Sequence, residues 1–136
     1  MSLPVLIVSG DPAHQAALSS TAANCGLASV LCVTMEAAKC FLARREFTAV
    51  LYEMSEKEDF RTSIRQLARS ASEAPVIVVS TLDNWDSYLA VISAGATDYV
   101  DFPLYQGELE RLLYAALMEP NHIAKYRPPA PAACFQ

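Results

Sequence analysis

The sequence predicts one α/β domain in which helices cover both faces of a parallel five-stranded sheet. Five short apolar runs alternate with stretches of helical periodicity, and this order of elements is typical of parallel sheets with right-handed crossovers. The runs are almost continuously apolar, as in strands that are covered on both faces. The chain has 136 residues and is 53% hydrophobic, which suits one domain with a sizeable core.

The first unit has a clear strand and a well-marked helix. Residues 3–8 are rich in β-branched and aliphatic side chains, which predicts a buried strand. Asp11 is placed to cap a helix and Pro12 suits its first position, because proline lacks the amide hydrogen that would be unpaired there. We expect this helix to extend to about Cys25 and to stop at Gly26.

The second and third units follow the same pattern. Residues 29–33 form the second predicted strand, and Thr34 caps a helix that extends to about residue 45. Residues 47–52 form the third strand. Ser55 and Glu58 have the spacing of a capping box, so we expect the third helix to begin there and to end near residue 72.

The fourth and fifth units complete the domain. Residues 76–80 form the most hydrophobic strand. Trp85, Leu89 and Ile92 mark a helix that ends at Gly95. Residues 97–100 form the last strand, and a leucine-rich helix ends near residue 120. We assign residues 1–119 to the domain and 120–136 to a linker or tail rich in proline and alanine.

Composition excludes several classes of function. The net charge of −5 and a pI near 4.9 give no electrostatic footprint for nucleic acid. No apolar run reaches the roughly 20 residues that cross a bilayer, and no secretory signal is present, so we expect a cytoplasmic protein. The four cysteines form no C-x-x-C pair, so we expect reduced, mostly buried thiols rather than a zinc site or disulfides.

Polar or turn-forming residues follow four of the five predicted strands. With the flavodoxin-like strand order 2-1-3-4-5, which fits five strands of this length, all of these positions lie at one edge of the sheet. The first and third strands flank the switch point, where ligands bind in such sheets. Asp11 and Glu53 are therefore expected to face the same crevice. The residues at this edge are Ser9, Gly10, Asp11, Glu53, Ser80, Asp101, Phe102 and Pro103.

The segment Ala94-Gly95-Ala96-Thr97-Asp98-Tyr99-Val100-Asp101-Phe102-Pro103 closely resembles the fifth-strand signature of response-regulator receiver domains. These are the phosphoacceptor modules of two-component signalling. Three further segments, 5–12, 47–53 and 75–81, fall at the first, third and fourth strands of that family with its spacing. The resemblance covers about residues 3–118 and implies the flavodoxin-like (βα)5 fold with a three-layer sandwich.

The resemblance also assigns roles, and most of the residues do not match them. The family's magnesium-binding acidic pair falls on Ser9 and Gly10, its acceptor aspartate on Glu53 and its lysine on Phe102. Only Ser80 matches outright, at the position of the conserved hydroxyl. Pro103 is similar to the family's cis proline, and Asp11 lies one place after the acidic pair.

These departures predict that metal-dependent phosphorylation has been lost. Magnesium is usually held by one or two carboxylates together with phosphate oxygens, and Ser9 and Gly10 supply no carboxylate. Phe102 cannot replace an ammonium group in neutralising a phosphoryl group. The extra methylene of Glu53 moves its oxygens by about one bond length, and a misplacement of about 1 Å costs on the order of a hundredfold in rate. We therefore expect no catalytic residue, no resident cofactor and lost or weak magnesium binding.

Four residues at this end of the sheet and on its partner face have two readings each. Glu53 either stands in for the charge of the aspartyl phosphate, with a hydrogen bond to Ser80, or is a solvated acid at a strand end. His14 is either a phosphoryl carrier or base beside the crevice, or an exposed helix histidine, and we favour the second. By resemblance Ser80 and Tyr99 relay the state of the pocket to the partner face; alternatively, they are a strand-end hydroxyl and a surface tyrosine.

The sequence as a whole predicts a receiver-type signalling module that acts by protein–protein interaction and is not an enzyme. The expected partners are a separate signalling protein, an attached effector domain or a second copy bound through the fourth helix, fifth strand and fifth helix. Two alternatives stay open. One is an active receiver that accepts phosphate on Glu53 with a weak metal site, and the other is a flavodoxin-like cofactor binder.

Overall fold

The computed structural model describes residues 2–54, 59–80, 85–102 and 107–118, and it shows the predicted alternation of strands and helices. The five strands pair in parallel in the order β2-β1-β3-β4-β5. The strands are β1 (Val5–Val8), β2 (Ser29–Cys32), β3 (Ala49–Glu53), β4 (Val76–Ser80) and β5 (Asp98–Asp101). The helices are α1 (Pro12–Asn24), α2 (Met35–Arg44), α3 (Phe60–Ser70), α4 (Trp85–Ala94) and α5 (Glu108–Met118).

The helix ends follow mostly from local chemistry that the sequence displays. Asp11 and Thr34 cap α1 and α2 as predicted. Gly95 ends α4 with φ +119°, and a Cβ there would lie 3.3 Å from the Ala68 side chain, so glycine permits both the turn and the approach of α4 to α3. The start of α3 was predicted too early, because Asp59 is its N-cap and accepts from the Thr62 amide. Ser55 and Glu58 lie outside the described residues.

Two hydrophobic layers hold the helices against opposite faces of the sheet. Alternate residues of a strand point to opposite faces, so Leu6 and Val50 belong to one layer while Ile7 and Leu51 belong to the other. The first layer contacts α2, α3 and α4, and the second contacts α1 and α5. This arrangement confirms the three-layer sandwich that the sequence predicts.

Helix α4 turns Val91 and Ala94 toward the sheet and leaves Leu89 at the surface. Leu89, one of the residues that marked this helix, is exposed on 46% of its surface, whereas Val91 is fully buried and Ala94 nearly so. The three-residue step from Val91 to Ala94 places both residues on the inner face. Leu89 therefore belongs to the exposed surface of α4.

The cysteines are less uniformly buried than predicted. Cys32 is buried at the end of β2, Cys25 is partly buried and Cys40 is exposed on α2. All three are free thiols. Burial raises the pKa of the Cys32 thiol to about 11, because desolvation disfavours the thiolate. Cys134 lies outside the described residues, as does the predicted tail.

No helix in the described ranges is long and apolar enough to cross a membrane.

Candidate functional site

The carboxyl ends of the strands bring the predicted site residues to one edge of the sheet. The Ser9 amide, just after β1, donates to the Cys32 carbonyl at 3.0 Å and so continues the pairing of the strands. Glu53 is the last residue of β3. The Phe102 amide donates to the Ser80 carbonyl at 2.8 Å, which places Phe102 directly beside the end of β4. Pro103 lies outside the described residues.

Strand geometry sets the direction in which Glu53 points. Ala49 and Leu51 of β3 belong to the hydrophobic layer beneath α1 and α5. Glu53 is two residues further along and shares their face, because strand side chains alternate. It therefore points toward the amino-terminal turn of α1, where His14 lies.

The carboxylate of Glu53 is bound by two side chains of its own chain. The Ser9 hydroxyl donates to Oε1, and the Nδ1 atom of His14 lies 2.6 Å from Oε2. The Glu53 side chain is 16% exposed and that of His14 is 27% exposed. Both oxygens of a largely buried carboxylate thus have a hydrogen-bond partner, as burial of such a group requires.

Phe102 closes the other side of the His14 ring. The two ring centroids are 4.3 Å apart and the planes differ by 17°, so the rings are stacked. By the resemblance described above, Phe102 falls at the position of the lysine in the receiver-domain signature. A flat apolar ring therefore lies where that family has an ammonium group, and it holds the imidazole against Glu53.

Ser9 is itself fixed by backbone and side-chain contacts. It is 2% exposed, and its hydroxyl oxygen accepts from the Asp11 amide at 3.2 Å. Gln15 of α1 donates to the Ser9 carbonyl. These bonds hold the β1–α1 turn in one geometry and aim the Ser9 hydroxyl at Glu53.

Asp11 is occupied by the helix that it caps. Its Oδ1 atom accepts from the Ala13 and His14 amides at 2.9 and 3.2 Å. Its other oxygen, Oδ2, is 3.7 Å from Nδ1 of His14, so the carboxylate also adds negative charge beside the imidazole. Asp11 therefore orients the turn that carries His14.

We predict that Asp11→Ala lowers the free energy of unfolding by about 1 kcal/mol, within the usual 0.5–2 kcal/mol for loss of an N-cap. The change leaves two amides of α1 without their side-chain acceptor. Urea denaturation followed by circular dichroism measures the difference. Asp11→Asn is the matched control, because asparagine caps equally well, and it should stay within a few tenths of a kcal/mol of the parent. Equal losses in both variants would contradict a capping role.

The residues of this pocket do not fit a magnesium ion. Magnesium requires near-octahedral oxygen ligands at 2.0–2.1 Å, and the positions of the family's acidic pair are Ser9 and Gly10. Glu53 has both oxygens engaged, and Asp11 caps α1. Across the described ranges, no group of three or more His, Cys, Asp or Glu side chains is arranged to hold a metal ion.

Ser80 and Tyr99 lie on the opposite face of the sheet from Glu53. Ser80 is fully buried and shares the face of Val76 and Val78. The Tyr99 ring packs edge to face against Tyr88 of α4, with centroids 5.9 Å apart and planes at 77°. The Glu53 carboxylate is hydrogen-bonded to Ser9 and His14. The expected hydrogen bond between Glu53 and Ser80 is therefore wrong.

The sequence-based interpretation of His14 is also wrong. We favoured an exposed helix histidine, whereas the side chain is half-buried and bonded to Glu53. The signal was available in the strand periodicity. Right-handed crossovers place α1 over the face that Ala49 and Leu51 share. Glu53 lies on the same face, because it is two residues after Leu51 in the strand. A histidine in the first turn of α1 is then within reach of that carboxylate.

Comparison with known proteins agrees with this architecture. No family model matches the sequence, and no curated protein matches it. Solved structures do match. A response regulator from Thermotoga maritima superposes with a TM-score of 0.78 at 20% identity, over 87% of this chain and 99% of that one. A two-component response regulator from Clostridium difficile gives 0.77 at 21% identity, over 88% and 99%.

A third structure is the receiver domain of a sensor histidine kinase from Pseudomonas aeruginosa, with magnesium coordinated in its active-site cleft. It gives a TM-score of 0.73 at 20% identity, over 87% of this chain and 99% of that one. The sheet order, the two helical layers and these similarities define a flavodoxin-like (βα)5 domain. More narrowly, the chain has the receiver-domain fold of response regulators.

Proposed function

We propose that this protein is a receiver-type signalling module that acts by binding other proteins and does not accept phosphate on Glu53 in a magnesium-dependent reaction. The observation that supports this most strongly is the state of the Glu53 carboxylate. Ser9 and His14 bind its two oxygens, and Phe102 stacks on the histidine. These contacts engage both carboxylate oxygens, at which a metal ion and an incoming phosphoryl group would have to act.

The chemistry of phosphoryl transfer explains why this arrangement opposes the reaction. A carboxylate acceptor attacks phosphorus in line with the leaving group, while cations neutralise the three equatorial oxygens. Here Asp11 and Glu53 both carry negative charge at the crevice, and the side chain at the lysine position is Phe102. A phosphoryl group would therefore meet two carboxylates with no lysine beside them, and Glu53 would first have to lose a hydrogen bond.

We infer that the same network favours a single conformation of the pocket. A buried carboxylate without donors is costly, and Glu53 has donors from both β1 and α1. We infer that His14 does part of the work that a metal ion does in a switching receiver, by holding the start of α1 against the end of β3. The module then presents one surface to its partners and does not alternate between two.

The proposal is tested by incubating the purified chain with acetyl phosphate and magnesium and recording the intact mass. We expect no gain in mass. A stable or hydroxylamine-labile gain of one phosphoryl group that Glu53→Gln abolishes would contradict the proposal and establish the alternative, an active receiver with Glu53 as its acceptor.

The expected binding surface is the face formed by α4, β5 and α5. Leu89 is 46% exposed on α4, and the Tyr88–Tyr99 pair lies beside it. We propose that a second copy or an effector protein docks here, in the cytoplasm, and that the module itself has no enzymatic activity and no resident cofactor. Sedimentation of the full chain and of Leu89→Arg tests the homodimer. Arg69→Leu on α3 is the control for surface charge.

A further inference from the structure

The structure contains a second concave site, far from the pocket of Glu53. A groove of about 410 Å³ opens at the amino-terminal edge of the sheet, where residues 2–3, 45–48 and 70–75 meet the end of α5. The strands between the two sites are four or five residues long, and at about 3.3 Å per residue they separate the sites by roughly 15 Å. The groove therefore shares no residue with the pocket of Glu53, and its proposed role can be tested separately.

The groove has an apolar floor and a mainly acidic rim. Its apolar lining comes from Leu3, Leu42, Phe47, Ala74, Pro75 and Leu117. Two exposed acids, Glu46 and Glu73, lie at its rim. The single base of the lining, Arg45, has its guanidinium carbon 5.5 Å from the centroid of the Phe47 ring. An extended segment with small apolar or proline side chains and a positive charge fits such a surface.

The chain carries a segment of this chemistry next to the groove. Ala116 and Leu117 line the groove, and Met118, the last residue of α5, directly follows them, so the chain beyond it starts beside the groove. Residues 120–136 include Lys125, Arg127 and four prolines but no acid. Because the whole chain has a net charge of −5, the remainder carries −7.

We propose that the segment Tyr126-Arg127-Pro128-Pro129-Ala130-Pro131 docks in this groove of its own chain. Proline-rich segments adopt the polyproline II conformation before they bind, so little backbone entropy is lost, and they commonly dock in aromatic-lined apolar grooves. Arg127 lies opposite the rim acids. The seven residues between Met118 and Tyr126 span up to about 23 Å at 3.3 Å each, which is enough to turn back over the groove.

The docked segment would fix where any further part of the polypeptide leaves the domain. If the tail were not docked, the position of any following segment relative to the domain would vary. The root-mean-square end-to-end distance of a flexible linker grows with the square root of its length. The proposal thus assigns the amino-terminal edge of the sheet a role in orientation. This role does not depend on phosphorylation.

Cleavage after Lys125 tests the proposal on the full chain. A lysine-specific endoprotease releases residues 126–136 only when the bond after Lys125 is accessible, and intact mass separates this product from cleavage after Lys39 or Lys57. We expect slow release in the parent. Arg127→Glu should accelerate it about three- to tenfold, because an attractive contact at the rim becomes repulsive. This variant cannot fail by unfolding the domain, since it alters only the tail.

A second set of variants in the same cleavage experiment reverses a charge on the groove. Glu73→Arg should accelerate release to a similar degree, and the combination with Arg127→Glu should restore the slow rate. Glu36→Arg is the matched control, because Glu36 is an exposed acid on α2 that does not line the groove. Equal rates in the parent and all variants would overturn the proposal. So would protection that rises with protein concentration, which would mean that a second copy occupies the groove.

Discussion

Restoring the missing side chains should give the chain magnesium-dependent phosphorylation. We expect the variant with Ser9→Asp, Gly10→Asp, Glu53→Asp and Phe102→Lys to gain one phosphoryl group from acetyl phosphate and magnesium, whereas the parent gains none. The two new aspartates provide the oxygen ligands that magnesium requires. The lysine supplies the cation that Phe102 lacks. Intact mass spectrometry gives the stoichiometry, and the rate should exceed that of the parent on the order of a hundredfold or more.

The backbone of the β1–α1 turn accepts this reconstruction. A Cβ at Gly10 would meet only the Val33 side chain, at the ordinary contact distance of 3.9 Å, and Gly10 does not have a positive φ. Shortening residue 53 to aspartate also withdraws the carboxylate from His14, so the imidazole no longer competes for it. These features favour the new side chains without a change in the turn.

The matched control keeps the three other substitutions and carries asparagine at position 53. It should bind magnesium but remain unphosphorylated. The contrary result is a variant with all four substitutions that is folded by circular dichroism and binds magnesium but gains no mass. It would mean that another part of the structure blocks the reaction.

The second large effect is expected from the His14–Glu53 contact. We predict that His14→Ala lowers the free energy of unfolding by about 1–3 kcal/mol, the usual range when a buried polar group loses its partner. The Glu53 carboxylate is 16% exposed and would keep only the Ser9 hydroxyl. Loss of the Phe102 stacking contact adds to the effect. Urea denaturation at neutral pH measures the difference.

A double-mutant cycle with Glu53→Gln separates this contact from the other effects of the substitution. Alanine favours helix more than histidine does, so helix propensity in α1 cannot account for a loss. We expect a coupling free energy between positions 14 and 53 of about 0.5–3 kcal/mol, the range for residues in direct contact. Additive losses within about 0.3 kcal/mol would show that the two side chains do not stabilise each other.

Most of the fold follows from patterns that local sequence displays. The five apolar runs, the Asp11-Pro12 helix start and the glycine stops at Gly26 and Gly95 are short-range signals, and the sheet order follows from the number and succession of the units. The error at α3 has a local cause. Ser55 with Glu58 and Asp59 offer competing cap signals within one turn, and only packing of the helix decides between them.

The sequence predicts which residues line the pocket but not which of their side chains contact each other. Ser9, Glu53 and Phe102 were placed at the correct edge because strand ends are easy to recognise. That His14 binds Glu53, and that Phe102 stacks on His14, depends on the approach of α1 and β5 across the sheet edge. Side-chain rotamers and helix tilt decide such contacts, and neither leaves a pattern in the sequence.

Magnesium titration followed by NMR distinguishes a pocket closed by its own side chains from one that binds the metal ion. In an ¹⁵N-labelled full chain, the amides of Gly10, Asp11 and Glu53 report on the edge of the sheet, and the His14 ring nitrogens report on the contact with Glu53. The account predicts that millimolar magnesium leaves these signals unchanged and that the His14 contact persists throughout. Saturable shifts at Gly10 and Glu53, together with release of His14, would contradict it.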